Sequence, residues 1–227
     1  MMLTKTITLL AMASLGTVTA AAAAEDTEQP KYTVVSSADG VELRTYAPHI
    51  VAEVTVEAPS RDAASGMGFR PLAGYIFGGN TGSDEIAMTA PVTTQSAQDQ
   101  TTEARTTERQ ATGTRIAMTA PVTTGSAGEG RYTVRFSMPR SWTMETLPTP
   151  DDPSVTVREI PAETRLAYRF TGAKSRAGIN AADAAITAYA ARNALTLASD
   201  PIVAGYDGPG TPPAKRRWEV MRIVAGE

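Results

Sequence analysis

A nine-residue segment occurs twice, letter for letter, as Ile86-Ala-Met-Thr-Ala-Pro-Val-Thr-Thr94 and again from Ile116 to Thr124. An identity of that length inside one chain is far beyond chance, and its alternation is that of a strand. Ile86, Met88, Ala90 and Val92 point one way and Ala87, Thr89 and Thr93 the other, so both copies are expected to be strands. Pro91 and Pro121 cannot donate to a ladder, which places a bulge or an edge in each copy. Small residues and proline let backbone pass close under a helix, so the segment's expected role is structural. Gln95 to Thr114, between the copies, is rich in Thr, Gln, Glu, Arg and Ala and reads as an exposed, mobile loop.

Around this repeat the same two periods recur. Tyr32 to Val35 and Val41 to Tyr46 alternate about Ser36 to Gly40, with Asp39-Gly40 as a hairpin signal. Ile50 to Val56 is a β-branched strand with Glu53 outward. Ser60 is the N-cap of a helix running to about Phe77, stopped by Gly78-Gly79-Asn80, and Pro71 predicts a kink or a locally broken turn in it. Tyr132 to Met138, Val155 to Ile160, Arg165 to Thr171, Ile202 to Tyr206 and Trp218 to Val224 read as further strands. Asn180 to Leu197 reads as an alanine-rich helix burying Ile186, Tyr189 and Ala190. Strands and helices fall into two comparable groups. The expected fold is α+β, a strongly bent sheet or distorted β-barrel of two halves, each a helix packed on antiparallel strands.

Composition narrows the function classes. Lys5, the apolar run Ile7 to Val18 and the small residues Ala20 to Ala24 form the pattern of a cleavable signal peptide over 1–24, followed by a polar leader over 25–30. The expected location is periplasmic or secreted, without stable membrane insertion after cleavage. Loss of Lys5 takes the formal charge from -3 to -4, which argues against nucleic-acid partners. The chain has no cysteine, which excludes disulfides, thiolate metal sites and covalent c-type haem.

Several words in fixed order resemble the SOUL haem-binding protein family over residues 31–227. They are Tyr32 with Val41 to Tyr46, Phe69 to Asn80, Met88 to Val92, Tyr132 to Pro139, Asp152-Pro153 to Glu159, Ala204 to Asp207, Pro212-Pro213 and Arg216 to Val220. The resemblance implies a distorted barrel of two pseudo-symmetric halves. It also implies reversible, non-covalent binding of haem or a related tetrapyrrole, without an enzymatic reaction. Carried over by position, the family's ligand site selects Gly66, Phe69, Arg70, Ala73 and Gly74 on the first helix. On the loop before the last strand it selects Gly210, Thr211, Pro212 and Lys215. A flat ring covered by Phe69 and Ala73, with Arg70 or Lys215 near its propionates, is the expected arrangement.

Other residues carry alternatives. His49 is the only histidine, at a strand entry after Pro48 where a surface role is the ordinary one. Met67, Met88 and Met118 offer thioethers, but their expected role is core filling. No G-x-S-x-G turn is present. Gly78 to Gly82 follows a helix instead of leading into one, so it is no phosphate cradle. Asp84-Glu85 and Asp151-Asp152 are expected to be solvated pairs, and Arg216-Arg217 to flank an edge strand. A hydrolase or isomerase would need a carboxylate in the cleft between the halves, with Glu159 and Glu219 as candidates. An envelope interaction protein would use the loop over 95–114.

Overall fold

Alternating residues become a nine-stranded antiparallel sheet in the computed structural model, which describes residues 27–81, 113–208 and 210–226. In chain order the elements are β1 (Tyr32–Ala38), β2 (Val41–Tyr46), β3 (His49–Glu57), α1 (Arg61–Ile76), β4 (Asn80–Thr81), β5 (Val122–Ser126) and β6 (Arg131–Ser137). Then follow β7 (Thr149–Pro150), β8 (Thr156–Ile160), β9 (Glu163–Thr171), α2 (Arg176–Arg192), β10 (Ile202–Gly205) and β11 (Arg217–Ile223). The main sheet runs β1-β2-β9-β11-β10-β5-β6-β3-β8, and β4 pairs β7 separately.

That order contains a two-fold pattern. β3-α1-β5-β6 and β9-α2-β10-β11 are equivalent units that meet where β10 pairs β5. β2 pairs β9 and β8 pairs β3, so each unit takes its outer strand from the segment that leads into the other. Ala47-Pro48 alone joins β2 to β3, although six strand spacings separate them in the sheet. On a flat sheet that gap is roughly 29 Å, whereas the linker reaches roughly 10 Å. Pro161-Ala162 imposes the same condition on β8 and β9. The sheet therefore curls into a distorted barrel, as expected.

Both helices cover the outer face. Leu72, Tyr75 and Ile76 of α1 pack with Ala52, Val54, Val134 and Phe136, and Ile179, Ile186 and Tyr189 of α2 with Val41, Leu166 and Val220. α1 approaches closely because Gly68 has no side chain: a Cβ there would lie 2.6 Å from a Val134 methyl. The opposite face is the inner one, since residues of both halves, Val51 and Arg135 with Tyr46, Arg165 and Met221, converge on one small cavity.

The caps follow local chemistry. Ser60 accepts from the Ala63 amide, and Asp39 (φ 53°) with Gly40 (φ 77°) makes the first hairpin turn. β1 continues to Ala38, so the Ser36 to Ala38 stretch is strand, with a bulge between Val34 and Ser36. α1 is continuous through Pro71; the carbonyl that loses its donor belongs to Met67, on the exposed side of the helix. α2 starts four residues before Asn180 because Ser175 caps it, and it ends at Arg192, where Asn193 caps and Ala194 turns to φ 54°.

The repeat behaves differently from its alternation. Its first copy lies outside the described residues, as do most of the loop over 95–114, the leader peptide over 1–24, Met88 and Asp84-Glu85. In the second copy only Val122 to Thr124 is strand. Ile116 is buried and bonded to the Ile76 carbonyl, Met118 is exposed, and Ala120 is buried with its amide on the Glu28 carbonyl. Anchors from α1 and the N-terminal segment thus override period two. The repeat is also not the molecular two-fold, because its second copy leads into β5 of one half only.

Three more expectations are corrected. Glu53 faces the inner side, held by Arg135 (2.6 Å) and Arg158 (2.8 Å). Arg217 starts an interior strand between β9 and β10, and pairs with Asp207 at 2.6 Å. Met67 and Met118 are exposed instead of filling core.

Candidate functional site

The 3.6-residue period of α1 gives it two faces. Ala64, Gly68, Leu72, Tyr75 and Ile76 turn inward, which leaves Gly66, Phe69, Arg70, Ala73 and Gly74 on the other side, with Met67 and Phe77 beside them. Phe69 is 41% exposed and Phe77 45%, large apolar areas to leave in water. Phe69 is steadied by an edge-on contact with Phe136, at 5.4 Å between ring centres. Gly66 and Gly74 leave open space, for a Cβ at either would meet nothing within 4 Å. Beside them a shallow cavity of about 350 Å³ runs between Arg70, Pro71 and Gly74 on the helix and Asp151-Asp152. The five helix residues named from the sequence are therefore brought together, on an exposed, flat, largely apolar face with a guanidinium at its edge.

The loop residues lie on the connection between β10 and β11, at the turn end of the last hairpin. Gly210, Pro212 and Lys215 are exposed, and the Thr211 carbonyl is held by Arg216 Nε at 2.8 Å. The hairpin is tied to the first turn of α1 through Lys174, whose Nζ lies 2.6 Å from Asp62 and 5.2 Å from the centre of the Trp218 ring.

The inner face holds what sequence reasoning did not foresee, a dense polar network. Glu219 is fully buried. Its Oε1 accepts from Arg44 Nη2 (3.0 Å) and Arg169 Nε (2.9 Å), and its Oε2 from Arg44 Nη1 (2.9 Å) and the Tyr206 hydroxyl (2.6 Å). Arg44 also stacks over Tyr32, and Arg165 over Tyr46. Burial alone would raise the Glu219 pKa; the hydrogen bonds and charge of Arg44, with Tyr206 and Arg169, outweigh it and hold the carboxyl below its ordinary value. Burial and the neighbouring Glu219 push Tyr206 well up. The cavity beside this network, lined by Tyr32, Tyr46, His49, Arg165 and Tyr206, is only about 20 Å³, room for a water and little more. Of the two cleft carboxylates, Glu159 is exposed on an edge strand and Glu219 has every lone-pair position engaged. A base so clamped is poorly placed to take a proton.

His49 stands at the seam where β2, β3 and β8 meet. Its Nδ1 faces the Ala47 carbonyl at 3.0 Å, and a carbonyl can only accept, so Nδ1 carries the hydrogen. Among the described residues no group of three histidine, aspartate or glutamate side chains is arranged to hold a metal ion, and no helix is long and apolar enough to cross a membrane.

A family model described as SOUL heme-binding protein matches the chain twice, over residues 27–111 and 104–223. No curated protein matches significantly. Among solved structures, the fold resembles the C-terminal domain of EcmrR, with TM-score 0.55, 12% identity, and coverage of 86% of this chain and 98% of that one. An uncharacterized conserved protein from Listeria innocua is similar at TM-score 0.55 and 10% identity, covering 82% and 92%. A hydrolase from the same organism is similar at 0.50 and 11%, covering 84% and 94%. At such identities these likenesses concern the fold.

Proposed function

Because the chain belongs to the SOUL haem-binding protein family, we propose that it binds haem or a related tetrapyrrole reversibly on the outward face of α1, as a carrier, buffer or scavenger in the cell envelope. The observation that carries this is the flatness of that face. Gly66 and Gly74 present no side chain and no neighbour, Ala73 lies between them, and Phe69 and Phe77 supply exposed aromatic area. A planar macrocycle needs such a platform, and Arg70 or Lys215 would receive its carboxylates. Gly210 adds open space on the loop side, and Met67 offers a thioether at the edge. The residues present fit an apolar ring with anionic arms. The chain has no cysteine, so attachment would be non-covalent. The envelope location rests on the export pattern in residues 1–24.

Titrating hemin into the mature protein tests the proposal. A saturable Soret change is expected, weakened by Phe69→Ala and by Arg70→Ala. Binding no tighter than hemin shows to an unrelated protein of similar charge would overturn it.

A further inference from the structure

The repeated segment is the one sequence motif to which ligand binding gives no use. We propose that its two copies compete for one seat: the first copy displaces the second from its place between β6 and β10, and thirty residues of chain move from the entrance of β5 to its exit. Nothing in this exchange depends on what the α1 face binds.

Four observations carry it. First, the match is longer than the strand. From Ile86 to Ala97 and from Ile116 to Ala127 the copies differ at one position of twelve, Gln95 against Gly125. A Cβ at Gly125 would meet an Ile202 methylene at 3.4 Å, an ordinary contact distance. Second, the contacts that seat the second copy are made by residue types that the first copy also carries. The Ile116 amide donates to the Ile76 carbonyl (2.9 Å), the Thr119 hydroxyl to the Ser137 carbonyl and the Ala120 amide to the Glu28 carbonyl (2.9 Å). The Thr124 hydroxyl lies 2.8 Å from that of Ser65. Ile86, Thr89, Ala90 and Thr94 are the equivalents. Third, connectivity permits the exchange. Asn80 Nδ2 donates to the Tyr75 carbonyl at 2.7 Å and the Ile116 amide sits on the next carbonyl, so the end of β4 lies beside the entrance of the seat. Residues 82–85 would join Thr81 to Ile86 there, a link that reaches roughly 17 Å. Either register has one long and one short connection around the strand, and loop-closure entropy grows slowly with length. Fourth, the family model matches over 27–111 and again over 104–223, so each copy falls within a match of its own.

Local chemistry tips the balance toward the observed register. A Cβ at Gly113 would lie 2.0 Å from the Asn80 carbonyl oxygen, and the equivalent residue of the first copy is Ser83. The first copy must therefore enter by another path, without the Gly113 bond to Gly78. The tight β5–β6 turn, with Gly128 at φ 82° and Gly130 at φ 75°, also belongs to the second copy alone. The exchange puts Glu85 in the place of Arg115, whose guanidinium stands 5.9 Å over the Phe77 ring, and carries the polar residues 98–112 into the β5–β6 connection.

The test disables the copies one at a time in the mature chain. Ile116→Asp/Ala120→Asp puts two carboxylates into buried positions, and Ile86→Asp/Ala90→Asp makes the same changes in the first copy. The first-copy variant should melt with wild type. The second-copy variant should keep its near-ultraviolet circular dichroism and a cooperative melt at lower temperature, and the variant with all four changes should lose both. Ser126 pairs with Tyr132 in the observed register, so Ser96→Cys/Tyr132→Cys reports the exchanged one, in a chain with no other cysteine. That pair should close within a single chain in the second-copy variant, and Gly113→Ala should raise its yield when the second copy is intact. A second-copy variant as unfolded as the fourfold variant overturns the exchange. So does a folded one that forms no Ser96–Tyr132 crosslink, or forms it only between two chains.

Discussion

At the scale of single residues, the charge cluster inside the barrel has the largest energetic consequences. Arg44 and Glu219 are both buried and engage through two hydrogen bonds. Removing either alone leaves an uncompensated buried charge, so Arg44→Ala should cost about 3–5 kcal/mol, measured by urea denaturation. Replacing both with apolar residues of similar volume should recover much of that loss. The pH dependence has a definite sign. Glu219 and Glu53 are held below the ordinary glutamate value of 4.5, by Arg44 with Tyr206 and Arg169 in one case and by Arg158 and Arg135 in the other. Burial opposes both shifts. The stability these groups contribute is therefore fully present above pH 4.5 and disappears as pH falls through their lower folded values. The midpoint of denaturation should fall with acidification below 4.5, and less steeply in Glu219→Gln. An acid limb unchanged by that substitution would show that the network is not the source.

At the scale of elements, α1 carries contrasting glycines. Gly68 lies against Val134, so Gly68→Ala should destabilise by about 1–3 kcal/mol through overpacking. Gly66 and Gly74 face open space in a helix interior, so alanine at either should stabilise by about 0.5–1 kcal/mol. Thermal melts of the three variants check the ordering. Ser60→Ala should cost about 1 kcal/mol for the lost cap. Much of this element was legible in the sequence, because a capping serine and a helical period are local signals. The start of α2 was less so, since Ser175 sits among residues that read as a loop and Gly178 follows it. The repeated segment was misleading. Strict alternation implied a strand, but Ile116 and Ala120 are fixed by backbone bonds to α1 and to Glu28, contacts distant in sequence.

At the scale of the whole molecule, the two-half barrel could be anticipated from the count and spacing of strands. Its closure follows from two short linkers, Ala47-Pro48 and Pro161-Ala162, whose meaning emerges only with the strand order. The inner network was illegible for a physical reason: Arg44, Arg165, Arg169 and Glu219 alternate with apolar residues as solvated positions on a half-exposed sheet do. Only curling turns that face inward. Sequence did place Glu219 beside Glu159 as a cleft candidate, but it could not show that one is clamped and the other exposed. Five candidate residues on α1 share a face because a helix keeps i, i+3, i+4 and i+7 together. The loop residues lie on the β10–β11 connection, whose position relative to α1 no helical period can give.

On the proposed function, the bare strip of α1 seats a planar macrocycle. Its most direct test is titration of metal-free protoporphyrin IX, whose binding can rest only on contact with the platform, into wild type and a Gly66→Leu/Gly74→Leu variant. Both substitutions enter open space, so the variant should keep its circular dichroism and melt no lower than wild type. Saturable binding by wild type and its loss in the variant are the expected results. Equal binding by the two proteins would contradict it.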